Sequence, residues 1–140
     1  MKQSKRVLLI DDDELILKIH KNILEEGGFS VFSETSSIKA LERIFNRERF
    51  DIIVTDIRMA EMDGWALLDI IRHELNLSEV ALPVIVVSAY DSSQMQLKSM
   101  EHQANAWFVK PIKPLNRLVE MARTLTGQRG VGEDKNDDSD

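Results

Sequence analysis

Short apolar runs alternate with longer amphipathic segments five times along this chain. The apolar runs have the length of β-strands and occupy residues 7–10, 29–33, 50–55, 84–87 and 106–109. The run at 29–33 alternates between apolar and polar residues, whereas the central runs are apolar nearly throughout, as expected for strands covered on both faces. The pattern therefore predicts a parallel sheet with helices on both sides.

The segments between the runs have the periodicity of helices. We predict a first helix that follows the acidic triplet 11–13 and ends at Gly27-Gly28, and a second from Ser36 or Ser37 to about residue 47. Three more helices are predicted at about residues 65–76, 92–102 and 114–125, the last of them closed by Gly127. Of these, the segment 92–102 has the thinnest apolar pattern.

The apolar stripes of these helices predict which side chains face the core. The predicted core residues are Leu15, Ile16, Ile19, Ile23 and Leu24 in the first helix, Ile38, Leu41, Ile44 and Phe45 in the second, and Leu115, Leu118, Val119, Ala122 and Leu125 in the last. The three histidines, His20, His73 and His102, have no metal-ligand spacing and are predicted to lie on the surface.

Composition narrows the class of protein further. A chain of 140 residues suits one domain, and the absence of cysteine excludes disulfides, thiolate metal sites and cysteine nucleophiles. No apolar run is long enough to span a membrane, and no cleavage signal follows the basic N-terminus, so we expect no membrane insertion and a cytoplasmic location. The net charge of −6 is concentrated in an acidic tail, which is predicted to be disordered over residues 128–140. Without a basic stripe, no direct nucleic-acid binding is expected.

Polar residues with related chemistry stand where four of the predicted strands end. They are Asp11, Asp12 and Asp13, then Asp56, Ser88 and Lys110. Because the carboxyl ends of parallel strands form the ligand-binding edge of an open sheet, these groups are expected to meet. Carboxylates can hold a divalent cation, a hydroxyl can bind a phosphoryl oxygen, and an ammonium can neutralise its charge. The simpler alternatives are a helix cap for the acidic triplet, a turn for Ser88 and ordinary core packing for Trp107.

In order and spacing, four segments of the chain resemble the receiver domain of two-component response regulators. They are Val-Leu-Leu-Ile-Asp-Asp-Asp (7–13), Asp-Ile-Ile-Val-Thr-Asp-Ile-Arg-Met-Ala-Glu-Met-Asp-Gly (51–64), Val-Ile-Val-Val-Ser-Ala (84–89) and Trp-Phe-Val-Lys-Pro (107–111). The resemblance extends from about residue 5 to 127, so residues 1–127 are expected to form the receiver domain. It implies a single (βα)5 doubly wound, flavodoxin-like fold with five parallel strands in the order 2-1-3-4-5.

The resemblance also assigns roles to individual residues. It implies that Asp56 accepts a phosphoryl group and that the metal ligands are Asp11, Asp12, Asp56 and the backbone carbonyl of Arg58. The metal would be Mg²⁺, or Mn²⁺ in its place, and Asp13 would have a supporting role. Lys110 would contact the phosphoryl group, with a cis bond to Pro111, while Ser88 and Trp107 would form the switch.

Three positions depart from the family pattern, and two more have bulky residues. Ala60 stands where proline is usual, and Gln103 stands where a glycine commonly closes the fourth helix, so the end of that helix is expected to differ. Trp107 is larger than the usual switch aromatic. Arg58 and Tyr90 are bulky residues at positions that modulate the lifetime of the phosphoryl group, and we expect them to shield it from water.

The expected function is a signalling phosphoacceptor, which catalyses only its own phosphotransfer and autodephosphorylation. Its partners would be a sensor histidine kinase or histidine phosphotransfer protein, and a downstream target or phosphorelay acceptor that binds its fourth helix, fifth strand and fifth helix. A homodimer formed on phosphorylation is a further possible assembly. The chain is expected to be either a stand-alone protein or a piece of a longer regulator. A phosphohydrolase of the haloacid-dehalogenase type would need an aspartate at position 58, and a degenerate receiver would lack part of the site.

Overall fold

Five parallel strands form a single sheet in the computed structural model, which describes residues 3–89 and 93–127. The strands are β1 (Arg6–Ile10), β2 (Ser30–Glu34), β3 (Ile52–Asp56), β4 (Val84–Ser88) and β5 (Ala106–Val109). Their order is β2-β1-β3-β4-β5, and every neighbouring pair is parallel. The predicted α/β fold and strand order are confirmed. Tyr90 and the acidic tail lie outside the described residues.

Helices connect the strands on both faces of the sheet. They are α1 (Glu14–Glu26), α2 (Ser37–Phe45), α3 (Gly64–Asp69), α4 (Gln94–Glu101) and α5 (Asn116–Thr126). The single helix predicted at 65–76 is wrong in detail, because α3 continues as a π-helical turn over Ile70–Glu74. There the amide of Leu75 donates to the carbonyl of Ile70, which adds one residue to the turn.

Side chains at the helix ends explain where most of the helices begin. Asp13 accepts hydrogen bonds from the amides of Leu15 and Ile16, so the helix-cap alternative for the acidic triplet is correct for this residue. Ser36 caps α2, and Asp63 caps α3 in the same way. Gly127 ends α5 in the left-handed conformation, as predicted from its position.

The sheet separates two apolar cores. One lies under α1 and α5 and includes Val7, Leu9, Leu24, Val54, Leu118 and Val119. The other lies under α2 and α3 and includes Leu8, Ile10, Leu41, Ile53, Leu68, Ile71 and Met95. Strand β3 is buried at all five positions, which explains its unbroken apolar run. No helix among the residues described has the length and apolar character needed to cross a membrane.

The predicted face of α1 is partly wrong. Leu15 is 67% exposed and Ile19 is 38% exposed, while Leu17, His20 and Leu24 are buried. The side chains at positions 17, 20 and 24 face the core. A search for apolar residues at helical spacing misses this face, because its middle position is a histidine. His20 is therefore not a surface residue as predicted, whereas His73 is exposed and His102 is half-buried.

The predicted face of α2 needs a similar correction. Ile38 is 40% exposed and Phe45 is 55% exposed, although both were expected in the core. The buried positions are Ser37, Ala40 and Leu41. A small serine can occupy a core position here because its hydroxyl donates to the carbonyl of Met62 at 2.8 Å. The inward residues predicted for α5 are all buried or half-buried.

Candidate functional site

The carboxyl-terminal ends of β1, β3, β4 and β5 bring the predicted site residues to one edge of the sheet. Asp11 follows β1, Asp56 ends β3, Ser88 ends β4 and Lys110 follows β5. The backbone fixes their alignment, since the amide of Lys110 donates to the carbonyl of Ser88 at 2.7 Å. The bond between Lys110 and Pro111 is cis, as predicted.

Lys110 joins two carboxylates. Its Nζ lies 2.7 Å from Oδ2 of Asp11 and 3.3 Å from Oδ2 of Asp56. All three side chains are largely out of solvent, with exposed fractions of 13%, 3% and 8% respectively. A shielded ammonium between two carboxylates is held by charge-assisted contacts, which are stronger than those on an open surface.

Three carboxylates converge beside this lysine. One oxygen from each of Asp11, Asp12 and Asp56 lies within 4.8 Å of the other two. Asp11 and Asp56 are buried, while Asp12 is exposed and forms the open side of the group. Hard oxygen ligands that leave an open side suit Mg²⁺, which keeps several of its waters. The donor set therefore fits the predicted cation.

Burial is the main cause of an altered pKa at Asp56. It raises the pKa of this carboxyl, and the charge of Asp11 raises it further, while Lys110 and the backbone amide of Arg58 lower it. Burial by itself lowers the pKa of Lys110, but the hydrogen bond to Asp11 and the charges of both carboxylates outweigh it, so that its pKa is raised. The ionised Lys110 therefore lies beside Asp56, whose negative charge is unfavourable in this buried position until a further cation binds.

A model of the response regulator receiver domain matches residues 7–123. The chain belongs to the response regulator receiver domain family. Two-component response regulator ARR12 of Arabidopsis thaliana is 34% identical over 109 residues, which is 77% of this chain and 17% of that protein. Two-component response regulator ORR24 of Oryza sativa subsp. indica is 33% identical over 121 residues, or 86% of this chain and 18% of that protein. The chain thus spans less than a fifth of the length of these curated relatives.

Solved receiver structures have the same architecture. The receiver domain of Francisella response regulator 1452 is similar with a TM-score of 0.79 and 29% identity, covering 89% of this chain and 98% of that one. A response regulator receiver domain protein from Methanospirillum hungatei is similar with a TM-score of 0.75 and 29% identity, covering 90% and 97%.

The remaining predicted residues of the receiver domain occupy distinct places. Ser88 is buried at 4% exposure, and its backbone pairs with Val109 across the sheet. Trp107 is half-buried and packs against the core under α2 and α3, so it is neither fully in the core nor free of it. Arg58 is exposed, and its amide bonds to the carboxylate of Asp56.

Two residues of this region received no role from the sequence. A Cβ on Gly64 would lie 2.6 Å from the backbone oxygen of Asp56, so any larger residue would force the backbone at the end of β3 to shift. His20 is buried on α1, where burial lowers its pKa, the charge of Asp11 opposes that shift and the charge of Lys110 adds to it. Gly64 could have been found from the sequence, because the pair Asp63-Gly64 lies inside one of the four family-like segments. No sequence signal pointed to the burial of His20.

Proposed function

We propose that residues 1–127 accept a phosphoryl group on Asp56 from a histidine kinase or histidine phosphotransfer protein, in a reaction that requires Mg²⁺. The observation that carries the proposal is the position of Lys110, whose Nζ bridges Asp56 and Asp11 beside a third carboxylate. An acceptor carboxylate, a cation-binding group and a fixed ammonium are the parts that phosphoryl transfer to an aspartate needs.

Each residue has a separate task in this proposal. A carboxylate oxygen of Asp56 attacks phosphorus as the bond to the donor nitrogen breaks, and Lys110 balances negative charge on the phosphoryl oxygens. Asp11, Asp12, Asp56 and the carbonyl of Arg58 would hold Mg²⁺, which supplies further charge compensation when bound. The raised pKa of Asp56 supports this division of tasks, since positive charge favours the ionised nucleophile.

The output is proposed to follow from the new charge on Asp56. A phosphoryl group of roughly −2 charge would attract the hydroxyl of Ser88, and the half-buried Trp107 would change its packing in response. We propose that a protein target or phosphorelay acceptor binds the surface of α4, β5 and α5, and that a phosphorylation-dependent homodimer would use the same surface. Exposed Leu97 and Met100 on α4 support an apolar contact there.

Phosphorylation by a small donor tests the proposal. The protein is incubated with acetyl phosphate, with and without Mg²⁺, and the intact mass is measured. We expect a single acid-stable, base-labile phosphate that needs Mg²⁺ and is lost in Asp56→Asn. Asp51→Asn, at the opposite edge of the sheet, is the matched control and should retain the adduct. An adduct that survives Asp56→Asn, or that forms equally well without a divalent cation, contradicts the proposal.

The lifetime of the adduct tests the proposed shielding by Arg58. The side chain of Arg58 is exposed next to the acceptor, so its removal would admit water more readily. We expect faster dephosphorylation in Arg58→Ala, measured after removal of the donor. An unchanged rate would show that this side chain does not shield the phosphoryl group. The same role for Tyr90 rests on its sequence position alone.

A further inference from the structure

Arg72 is a buried cation that the proposed phosphoryl chemistry does not use. It lies in the π-helical turn after α3 and is only 5% exposed. Its guanidinium donates five hydrogen bonds of 2.8–3.1 Å to the carbonyls of Leu77, Ser78, Leu82 and Gln103 and to Oδ1 of Asn105. Burial lowers the pKa of Arg72 and the charge of Glu79 opposes this, but arginine stays protonated in proteins.

These bonds connect three parts of the chain at one point. Residues 77–82 lead into β4, and residues 102–105, which we term the α4–β5 corner, lead into β5. Asn105 extends the network, since its Oδ1 also accepts from the amide of Val84 and its Nδ2 donates to the carbonyl of Glu79. The corner is therefore tied to the body of the domain through Arg72 and Asn105.

The backbone at the corner requires such support. Gln103 has a φ of 63°, in the left-handed region that favours glycine. The helix end thus has the conformation that a glycine would take, although we expected Gln103 to change it. A strained residue persists where its surroundings hold it. Here Nε of Arg72 binds the carbonyl of Gln103 itself at 3.0 Å.

A second set of contacts holds the same end of α4. Nδ1 of His102 lies 2.7 Å from Oδ1 of Asp69, and its ring stacks on Trp65 with the ring centroids 5.0 Å apart. Both partners belong to α3. The other end of α4 differs, because Ser93 makes no side-chain capping bond to the helix it precedes. The C-terminal end of α4 is thus fastened to α3 by side-chain contacts, whereas among the described residues Ser93 gives the N-terminal end no side-chain cap.

We infer that Arg72 is a positioning residue for the phosphorylation response. It anchors the α4–β5 corner to the π-helical turn that continues α3, so that α4 pivots about that corner and only its first turn moves. The inference rests on the proposed function for the source of the movement. What the inference adds is the point at which the movement of α4 ends. The anchor itself is a property of the unphosphorylated protein and can be measured without any phosphoryl group.

Hydrogen–deuterium exchange of the full chain tests the anchor first. In the absence of ligand, Arg72→Met should raise the exchange rate at residues 101–106 by about tenfold or more, as expected for the loss of charge-assisted hydrogen bonds. Arg72→Lys keeps the charge without the planar fork and should give a smaller increase. Arg49→Met, which changes an exposed arginine, is the matched control and should leave this segment unchanged.

The pivot is tested with Mg²⁺ and beryllofluoride, which stands in for the aspartyl phosphate. In the wild type, we expect altered exchange at residues 93–97 and rates that agree within about twofold at 101–106. In Arg72→Lys the alteration should extend into 101–106. If Arg72→Met does not fold, Arg72→Lys and His102→Ala carry the test, and each should loosen the corner.

Two results would overturn the inference. One is an unchanged ligand-free exchange rate at 101–106 in the Arg72 variants; the other is a wild-type response to beryllofluoride that is as large at 101–106 as at 93–97. If beryllofluoride with Mg²⁺ alters nothing near residues 52–58, the proposed function fails and the pivot fails with it. The ligand-free comparison then still decides whether Arg72 is an anchor.

Discussion

Replacing Asp56 with asparagine should stabilise the metal-free protein while it abolishes phosphorylation. The change removes one negative charge and keeps the shape of the side chain. Lys110 does not become an unpaired cation, because Asp11 remains 2.7 Å from its Nζ. The variant therefore separates the cost of a buried charge from the loss of a contact.

The size of the gain follows from the distances. Asp56 loses favourable solvation by burial, which is the main cause of its raised pKa. One of its oxygens lies within 4.8 Å of one oxygen of Asp11 and one of Asp12, and two charges 4.8 Å apart repel each other by about 3.5 kcal/mol at an effective dielectric of 20. The attraction to Lys110 at 3.3 Å returns about 5 kcal/mol on the same scale. Because solvent screens the exposed Asp12, we expect a net gain of about 1–3 kcal/mol in Asp56→Asn.

Thermal unfolding measures this gain at neutral pH without divalent cations. A difference of 1 kcal/mol corresponds to roughly 3–5 °C for a domain of this size. A folded-state pKa above the unfolded value means that wild-type stability falls as the pH rises from about 4 through the raised pKa. The advantage of the variant should therefore vanish near pH 4. Glu101→Gln, which removes an exposed acid of α4, is the control and should not stabilise the protein at neutral pH.

Mg²⁺ should reverse the order of the two proteins. A ligand at 100 times its Kd stabilises a protein by about 2.7 kcal/mol, and only the wild type keeps all three carboxylates. An Asp56→Asn variant that melts at or below the wild-type temperature without metal would refute the electrostatic account. Equal stabilisation of both proteins by Mg²⁺ would show instead that Asp56 is not a ligand.

Four further substitutions test other contacts by chemical denaturation. The hydroxyl of Ser99 is buried without a hydrogen-bond partner in the described structure, so Ser99→Ala should stabilise the protein by about 1 kcal/mol. Ser37→Ala should destabilise it by a similar amount, because it removes the buried hydrogen bond to Met62. Changes of the same sign in both variants would contradict this reasoning. Gln103→Gly should stabilise by about 1 kcal/mol at its positive φ, and a loss would show that the corner is unstrained. Gly64→Ala should cost about 1–3 kcal/mol and slow phosphorylation of Asp56; wild-type behaviour would show that the adjacent backbone yields freely.

The fold was accessible from the sequence because the strands are short, apolar and regularly spaced. Burial on both faces leaves β3 and β4 with no polar residue to interrupt their pattern until Thr55-Asp56 and Ser88. The convergence of the candidate site residues was accessible for the same reason, since these residues mark the ends of those strands. Parallel pairing of the strands then brings these residues together at one edge of the sheet.

The features that the sequence did not reveal depend on contacts between distant elements. His20 is buried on the face of α1 that packs against the rest of the domain. Ser37 is buried where its hydroxyl donates to the carbonyl of Met62. Arg72 has the sequence signature of a surface residue, and its burial follows from a π-helical turn that no hydrophobic period encodes. A prediction based on apolar positions thus places polar residues on the surface even where a buried partner holds them in the core.

The contact between Lys110 and Asp11 spans 99 residues of the chain. During synthesis, Asp11 and Asp56 leave the ribosome well before β5 exists. At about 5–20 residues per second, the interval between the two halves of this contact is roughly 5–20 s. Throughout that time the nascent chain has Asp11 and Asp56 without Lys110. The charge balance that the proposed phosphotransfer needs is therefore complete only when the last strand has joined the sheet.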